Sequence, residues 1–129
     1  MASGFPAATG DVLTAATVNG LVTFTIGADN TSDYTAVLTD QYQVLVPMNK
    51  ATAVAFKIPT NASVAFPVGT AITVLNKGAG TVTISAVTSG TTTVTSSGAV
   101  SASPTLAQWK TAVCIKLSTD SWVVAGAIG

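Results

Sequence analysis

From Leu21 onward, apolar and polar residues alternate in short runs. Gly, Pro, Asn, Asp or Ser closes each run, and this period of two predicts strands rather than helices. Leu21 to Ile26 is the first run, broken by Gly27-Ala28-Asp29-Asn30. Tyr34 to Thr39 and Tyr42 to Val46 flank Asp40-Gln41, a spacing that predicts a tight hairpin. Pro47 ends the second of these runs or marks an edge position. The apolar succession Val44-Leu45-Val46 suggests a strand covered on both faces. Thr52 to Ile58 follows and is closed by Pro59-Thr60-Asn61. After Pro67-Val68-Gly69, the runs Ala71 to Asn76 and Thr81 to Ala86 surround Lys77-Gly78-Ala79-Gly80, again as a hairpin would. Thr91 to Thr95 supplies a shorter strand.

Trp109 to Leu117 is the clearest amphipathic strand. Trp109, Val113, Ile115 and Leu117 point one way, and Lys110, Ala112, Cys114 and Lys116 point the other. Ser118-Thr119-Asp120-Ser121 then turns the chain into Trp122 to Ala125, a terminal hairpin. Upstream, Ser3 to Asp11 has no period and reads as an extended Gly/Pro/Ala arm. Thr14 to Val22 fits one short helix with Thr14 as its N-cap, weakened by Gly20. The expected fold is therefore all-β: a single-domain antiparallel β-sandwich or barrel, with an extended arm over 1–13, the β-rich domain over 14–129, and at most one short helix.

Composition narrows the function. Charged residues make up 8% of the 129, five Lys against five Asp, with no Glu, Arg or His. Ordinary domains carry about 25%. A net charge of zero gives no field to attract nucleic acid or anionic lipid, and it favours association. Thr is the commonest residue, with 22 copies, which suits strands. Cys114 is the only cysteine and sits in an alternating run, so a small buried thiol is expected. No run approaches the length of a membrane span, and the start lacks the features of a signal peptide, so neither a membrane partner nor export is expected.

Catalytic chemistry finds no footing, and no enzyme, cofactor or metal is expected. Without His there is no base for a nucleophile and no zinc set. Asp29-Asn30-Thr31-Ser32-Asp33 lacks the Gly and bidentate Glu of a calcium loop, and reads as a solvated turn. The scattered Asp residues read as turn stabilisers. Gly78-Ala79-Gly80 lacks the Lys-Ser/Thr ending of a phosphate loop. Thr-x-Thr pairs such as Thr81/Thr83 and Thr93/Thr95 show no fixed period, against an ice-binding array.

The stretch from Val44 to Gly126 resembles a β-rich module of tailed-phage virion proteins. Pro59, Pro67-Val68-Gly69-Thr70, Ile72, Val74, Gly78-Ala79-Gly80, Val82-Thr83-Ile84, Ala112-Val113, Lys116, Asp120, Trp122-Val123 and Gly126 carry the likeness. Phe5-Pro6-Ala7 and Gly10 to Ala16 are similar to the opening of such proteins. The resemblance implies a virion location, many copies and a homotrimer, with no catalytic residue. Fibre proteins of this kind continue into long shafts, whereas this sequence ends three residues after Gly126. That directs the expectation to a capsid decoration or cement protein that bridges subunits of the major capsid protein. A receptor- or glycan-binding module of a tail fibre is the alternative. The residues expected at an interface are Phe5, Pro6, Val12, Leu13, Trp109 and Trp122.

Overall fold

The computed structural model describes residues 24–97 and 102–128. The expected arm over 1–13 with Phe5, Pro6, Val12 and Leu13, and the helix from Thr14, lie outside the described residues. The fold is all-β. In chain order the strands are β1 (Thr25–Ile26), β2 (Tyr34–Thr35), β3 (Gln43–Met48), β4 (Val54–Ile58), β5 (Ala71–Asn76), β6 (Val82–Ala86), β7 (Thr93–Ser96), β8 (Thr105–Leu106), β9 (Thr111–Ser118) and β10 (Ser121–Gly126). A 3₁₀ turn, Leu38–Tyr42, joins β2 to β3.

Two sheets form, one of six strands in the order β1-β3-β5-β9-β10-β7 and one of four in the order β2-β4-β6-β8. From β1 to β9 each successive strand enters the other sheet, and only β9 and β10 are neighbours in both sequence and sheet. As far as β6, strands two apart along the chain run in the same direction. β1, β3 and β5 pair in parallel, as do β2, β4 and β6, and β7 joins β10 in parallel as well. This corrects the antiparallel expectation, which holds for β5–β9, β6–β8 and β9–β10. Both expected internal hairpins are corrected too: β2 and β3 lie in different sheets, as do β5 and β6.

The corner geometry shows why. Val46 pairs with Val74 and Ile58 with Ala86, both 28 residues apart, so the register is held through the intervening corner. Lys77 N donates to Met48 O, Gly80 N to Lys50 O and Val54 N to Thr81 O, so one corner lies directly on the next. A Cβ on Gly78 would collide with the backbone of Lys50, and one on Gly80 with the backbone of Thr52. These glycines serve a close backbone approach, not a two-strand turn. Asn76 seals the corner from inside: its amide donates to Gly80 O and Leu106 O, and its Oδ1 accepts from Gly78 N.

Pro47 lies within β3, between β1 and β5, rather than at a strand end or an edge. Its carbonyl accepts from Asn30 N, so the donor it lacks falls on the β1 side. Pairing there shrinks to the two residues of β1 and an isolated bridge between Asn30 and Met48. Val44 is exposed and Leu45 half-buried, so β3 is not covered on both faces as its apolar run suggested. The sheets share one core. Tyr34, Phe56 and Ile84 form one row of the smaller sheet and Val54, Val82 and Leu106 the next, against Met48, Ile72, Val74, Cys114 and Val124 of the larger.

Candidate functional site

The six-stranded sheet carries aliphatic side chains on both faces. The core-facing rows contain Val46, Val74 and Ala112, then Ile72, Cys114 and Val124. The outward rows contain Ala71, Ile115 and Val123, then Thr73, Val113 and Ala125, then Leu75 and Thr111. Ile115, Val123, Val113 and Leu75 are half-buried by their neighbours, and Leu117 is 55% exposed. The described residues supply no third layer over this face. None of the nine charged residues among them sits on it. Asp29, Asp33, Lys50, Lys77, Lys110 and Asp120 occupy corners and turns, Asp40 and Lys116 are buried, and Lys57 lies on the outward face of the other sheet.

β9 separates the two sets of side chains that its alternation predicts, and the buried set is Ala112, Cys114 and Lys116. Hydropathy alone would have buried the other. Lys116, 2% exposed, donates from Nζ to Asn61 Oδ1 at 2.6 Å and to Phe66 O at 2.7 Å. These acceptors tie the segment after β4 to the larger sheet. Asp120 completes the tie through Oδ1, which accepts from Asn61 N and Thr92 Oγ1. Trp122, opposite Lys116 on β10, is 2% exposed and meets Phe66 edge-on with ring centroids 5.5 Å apart. Such a pair adds about 1 kcal/mol beyond its burial. Trp122 is thus a core residue, which corrects its place among the interface candidates.

Trp109 is placed differently. It lies in the turn before β9, where Lys110 N bonds Ala107 O, and it is 64% exposed. Its φ of 62° is the single left-handed value among the described non-glycine residues. An aromatic residue in that region costs about 1–2 kcal/mol relative to glycine. Trp109 N bonds Asn76 O while Asn76 N bonds Lys110 O, so two residues oppose one and the strand bulges beside the Leu75–Thr111 row.

The remaining polar groups serve the fold. Asp29 pairs with Lys77 at 2.9 Å and accepts from Asn49, and the Lys77 hydrogen bond followed by that of Asn49 holds its carboxyl below the usual value. Asp33 accepts from Ala55 N, so the calcium-like stretch is a pair of corner braces, and no cluster of metal-ligating side chains exists among the described residues. Buried Asp40 accepts from Tyr34 Oη at 2.8 Å and from Val37 N. Burial and then that carboxylate raise the Tyr34 phenol above its usual value. Burial pushes the Cys114 thiol up to about 12, so it is an inert core group. A shallow cavity of about 250 Å³ beside β6 and β7 is lined by Ser85, Ser89, Thr92, Thr93 and Ser103, hydroxyls with no base among the lining. No helix of the described residues is long and apolar enough to cross a membrane.

The chain was compared with known protein families, curated proteins and solved structures, and it matches none of them.

The outward face of the six-stranded sheet is therefore an uncharged surface of aliphatic, Thr and Ala side chains among the described residues. Sequence reasoning singled out Trp109, which the fold leaves exposed, but not this face, because Val113, Ile115 and Leu117 were the very residues that hydropathy would place inside.

Proposed function

We propose that this chain is a non-enzymatic structural subunit of a phage virion and, within that class, a capsid decoration protein that bridges capsid subunits. The observation that carries this reading is the uncharged aliphatic outward face of the six-stranded sheet. Such a face is suited to contact rather than catalysis. The low charge of the chain, 8% of its residues, supports it, since a neutral surface packs against a neighbour without stripping water from ions, a cost of several kcal/mol per buried charge. An icosahedral shell repeats each contact many times, so weak contacts suffice. In this reading the two sheets are the layers of a sandwich. Residues 1–13 reach onto a neighbouring virion subunit through Phe5, Pro6, Val12 and Leu13, and the major capsid protein is the partner.

The test is rebinding. Purified protein added to particles stripped of it should occupy them and raise their melting temperature. Deleting residues 1–13 should lower occupancy while the isolated protein keeps its circular dichroism. Particles that neither bind the protein nor gain stability would remove the decoration reading. A tail-fibre glycan-binding module is the second reading, supported by the exposed Trp109 in its turn. A glycan array showing binding that Trp109→Ala abolishes would favour it.

A further inference from the structure

We infer that Lys116 and Asn61 are a self-linking pair whose side chains join in an isopeptide bond. The inference stands apart from the virion reading and needs only this chain's own residues. Lys116 Nζ lies 2.6 Å from Asn61 Oδ1, shorter than the roughly 2.7–2.9 Å usual for an ammonium donating to a full carboxylate. At the angle a carbonyl oxygen usually accepts, this puts the amine about 3.4 Å from Asn61 Cγ. That is the spacing of reacting atoms held ready for attack.

Both partners are fixed from several sides. Lys116 N donates to Thr70 O and Gly69 N donates to Lys116 O, which pins the backbone beneath the amine. Phe66 O accepts from the same Nζ at 2.7 Å. Trp122, the cross-strand neighbour of Lys116, packs edge-on against Phe66, and the lysine is shut away from water. Asn61 sits in a turn where Ser63 N and Val64 N both donate to Thr60 O. Its own N–H is held by Asp120 Oδ1 at 2.8 Å.

Charge supplies the driving force. Nζ bonds two neutral oxygens, and the ion pair among the described residues is Asp29–Lys77, at another corner. A buried ammonium without a carboxylate partner carries a desolvation penalty, which conversion to a neutral amide removes. In the reaction Nζ attacks Asn61 Cγ. The Nζ–Cγ bond forms, the Cγ–Nδ2 bond breaks, and Nδ2 departs. Nζ sheds two of its three protons and both leave on Nδ2, so ammonium is released and no oxidant or cofactor enters. Asp120 is the carboxylate beside the pair and ferries the protons. Asn61 is half-buried, which gives the ammonium a way out.

Mass spectrometry of the full chain tests this. The intact mass should fall about 17 Da below the sequence value, the loss of one ammonia. Trypsin should then release one branched peptide that joins 58–77 to 111–129 and is uncut at Lys116. Lys116→Arg keeps a donor for Asn61 but lacks the attacking amine, and it should carry its full mass. Asp120→Asn keeps an acceptor for Asn61 N but lacks the carboxylate, and it should carry its full mass as well. An unaltered chain at full mass, with 111–116 and 117–129 released as separate peptides, overturns the inference. So does the same loss found in a linear peptide, the mark of an asparagine closing on its own backbone. An Asp120→Asn protein that still yields the branched peptide overturns the part given to Asp120.

Discussion

The two sheets face a common core, yet their outward sides differ in kind. On the smaller sheet the outward rows are Thr35, Lys57 and Ser85, then Ala55, Thr83 and Thr105, which is the usual solvated pattern of an antiparallel or mixed sheet with one wet side. On the larger sheet the same positions carry Leu75, Val113, Ile115 and Val123 beside Thr73, Thr111 and two alanines, and its one lysine on β9 points inward. The difference teaches that on β9 strand alternation and the supply of acceptors decide burial over side-chain hydropathy. Lys116 is inside because Asn61 and Phe66 offer it two oxygens, and Ile115 is outside because the alternation of β9 leaves it no choice.

The two lysines give the largest contrast. Lys116→Ala should cost about 3 kcal/mol in a denaturant titration, since it leaves the buried Phe66 carbonyl and the half-buried Asn61 amide oxygen without their donor. Lys57→Ala, on the wet side of the smaller sheet, should stay within about 0.5 kcal/mol. Equal costs would break the comparison. Next come two valines on opposite sides of the larger sheet. Val74→Ala should lose about 2 kcal/mol through its cavity, while Val113→Ala should lose under about 1 kcal/mol.

Alkaline pH separates the sheets again. The folded Cys114 thiol is raised to about 12 from an ordinary value of 9.0, so the protein is most stable below pH 9 and weakens as the unfolded thiol ionises. The loss should reach about 1 kcal/mol at pH 10 and be absent in Cys114→Ala. Tyr34, in the smaller sheet, has its phenol raised from 10.0, so its stability contribution likewise fades as pH rises, with an onset about one unit higher. The smallest effect belongs to Trp109→Gly. Relief of the left-handed strain offsets the added freedom of the unfolded chain, so melting should hold or rise by under about 1 kcal/mol.

Most strands were legible because period-two patterning reports local extension and which residues share a face. Ala71 to Asn76, Thr81 to Ala86 and Trp109 to Leu117 all fall on observed strands. The terminal hairpin was legible too, because β9 and β10 are joined by a short turn and pair with each other. Partners of the other strands were not, since alternation is blind to which strand lies alongside. Gly78-Ala79-Gly80 misled for that reason: the glycines answer to Thr52 and Lys50 of the previous corner, far back in the sequence. A faint signal existed in the 28-residue offset, where Val46 meets Val74, Val54 meets Val82 and Phe56 meets Ile84. The inward side of β9 was hidden because Lys116 takes its acceptors from residues 61 and 66, some fifty positions away.

The alternation of strands between sheets also governs how fast the chain can find its fold. Each ladder between β1 and β3, or between β3 and β5, spans the whole of the strand that belongs to the opposite sheet. Each such pairing closes a loop whose entropy is lost before any contact returns it. Only the β9–β10 hairpin is local, and it is the natural seed. Folding should therefore be slow for a chain of this length, on the order of milliseconds to seconds, with every strand but the last pair waiting on a distant neighbour.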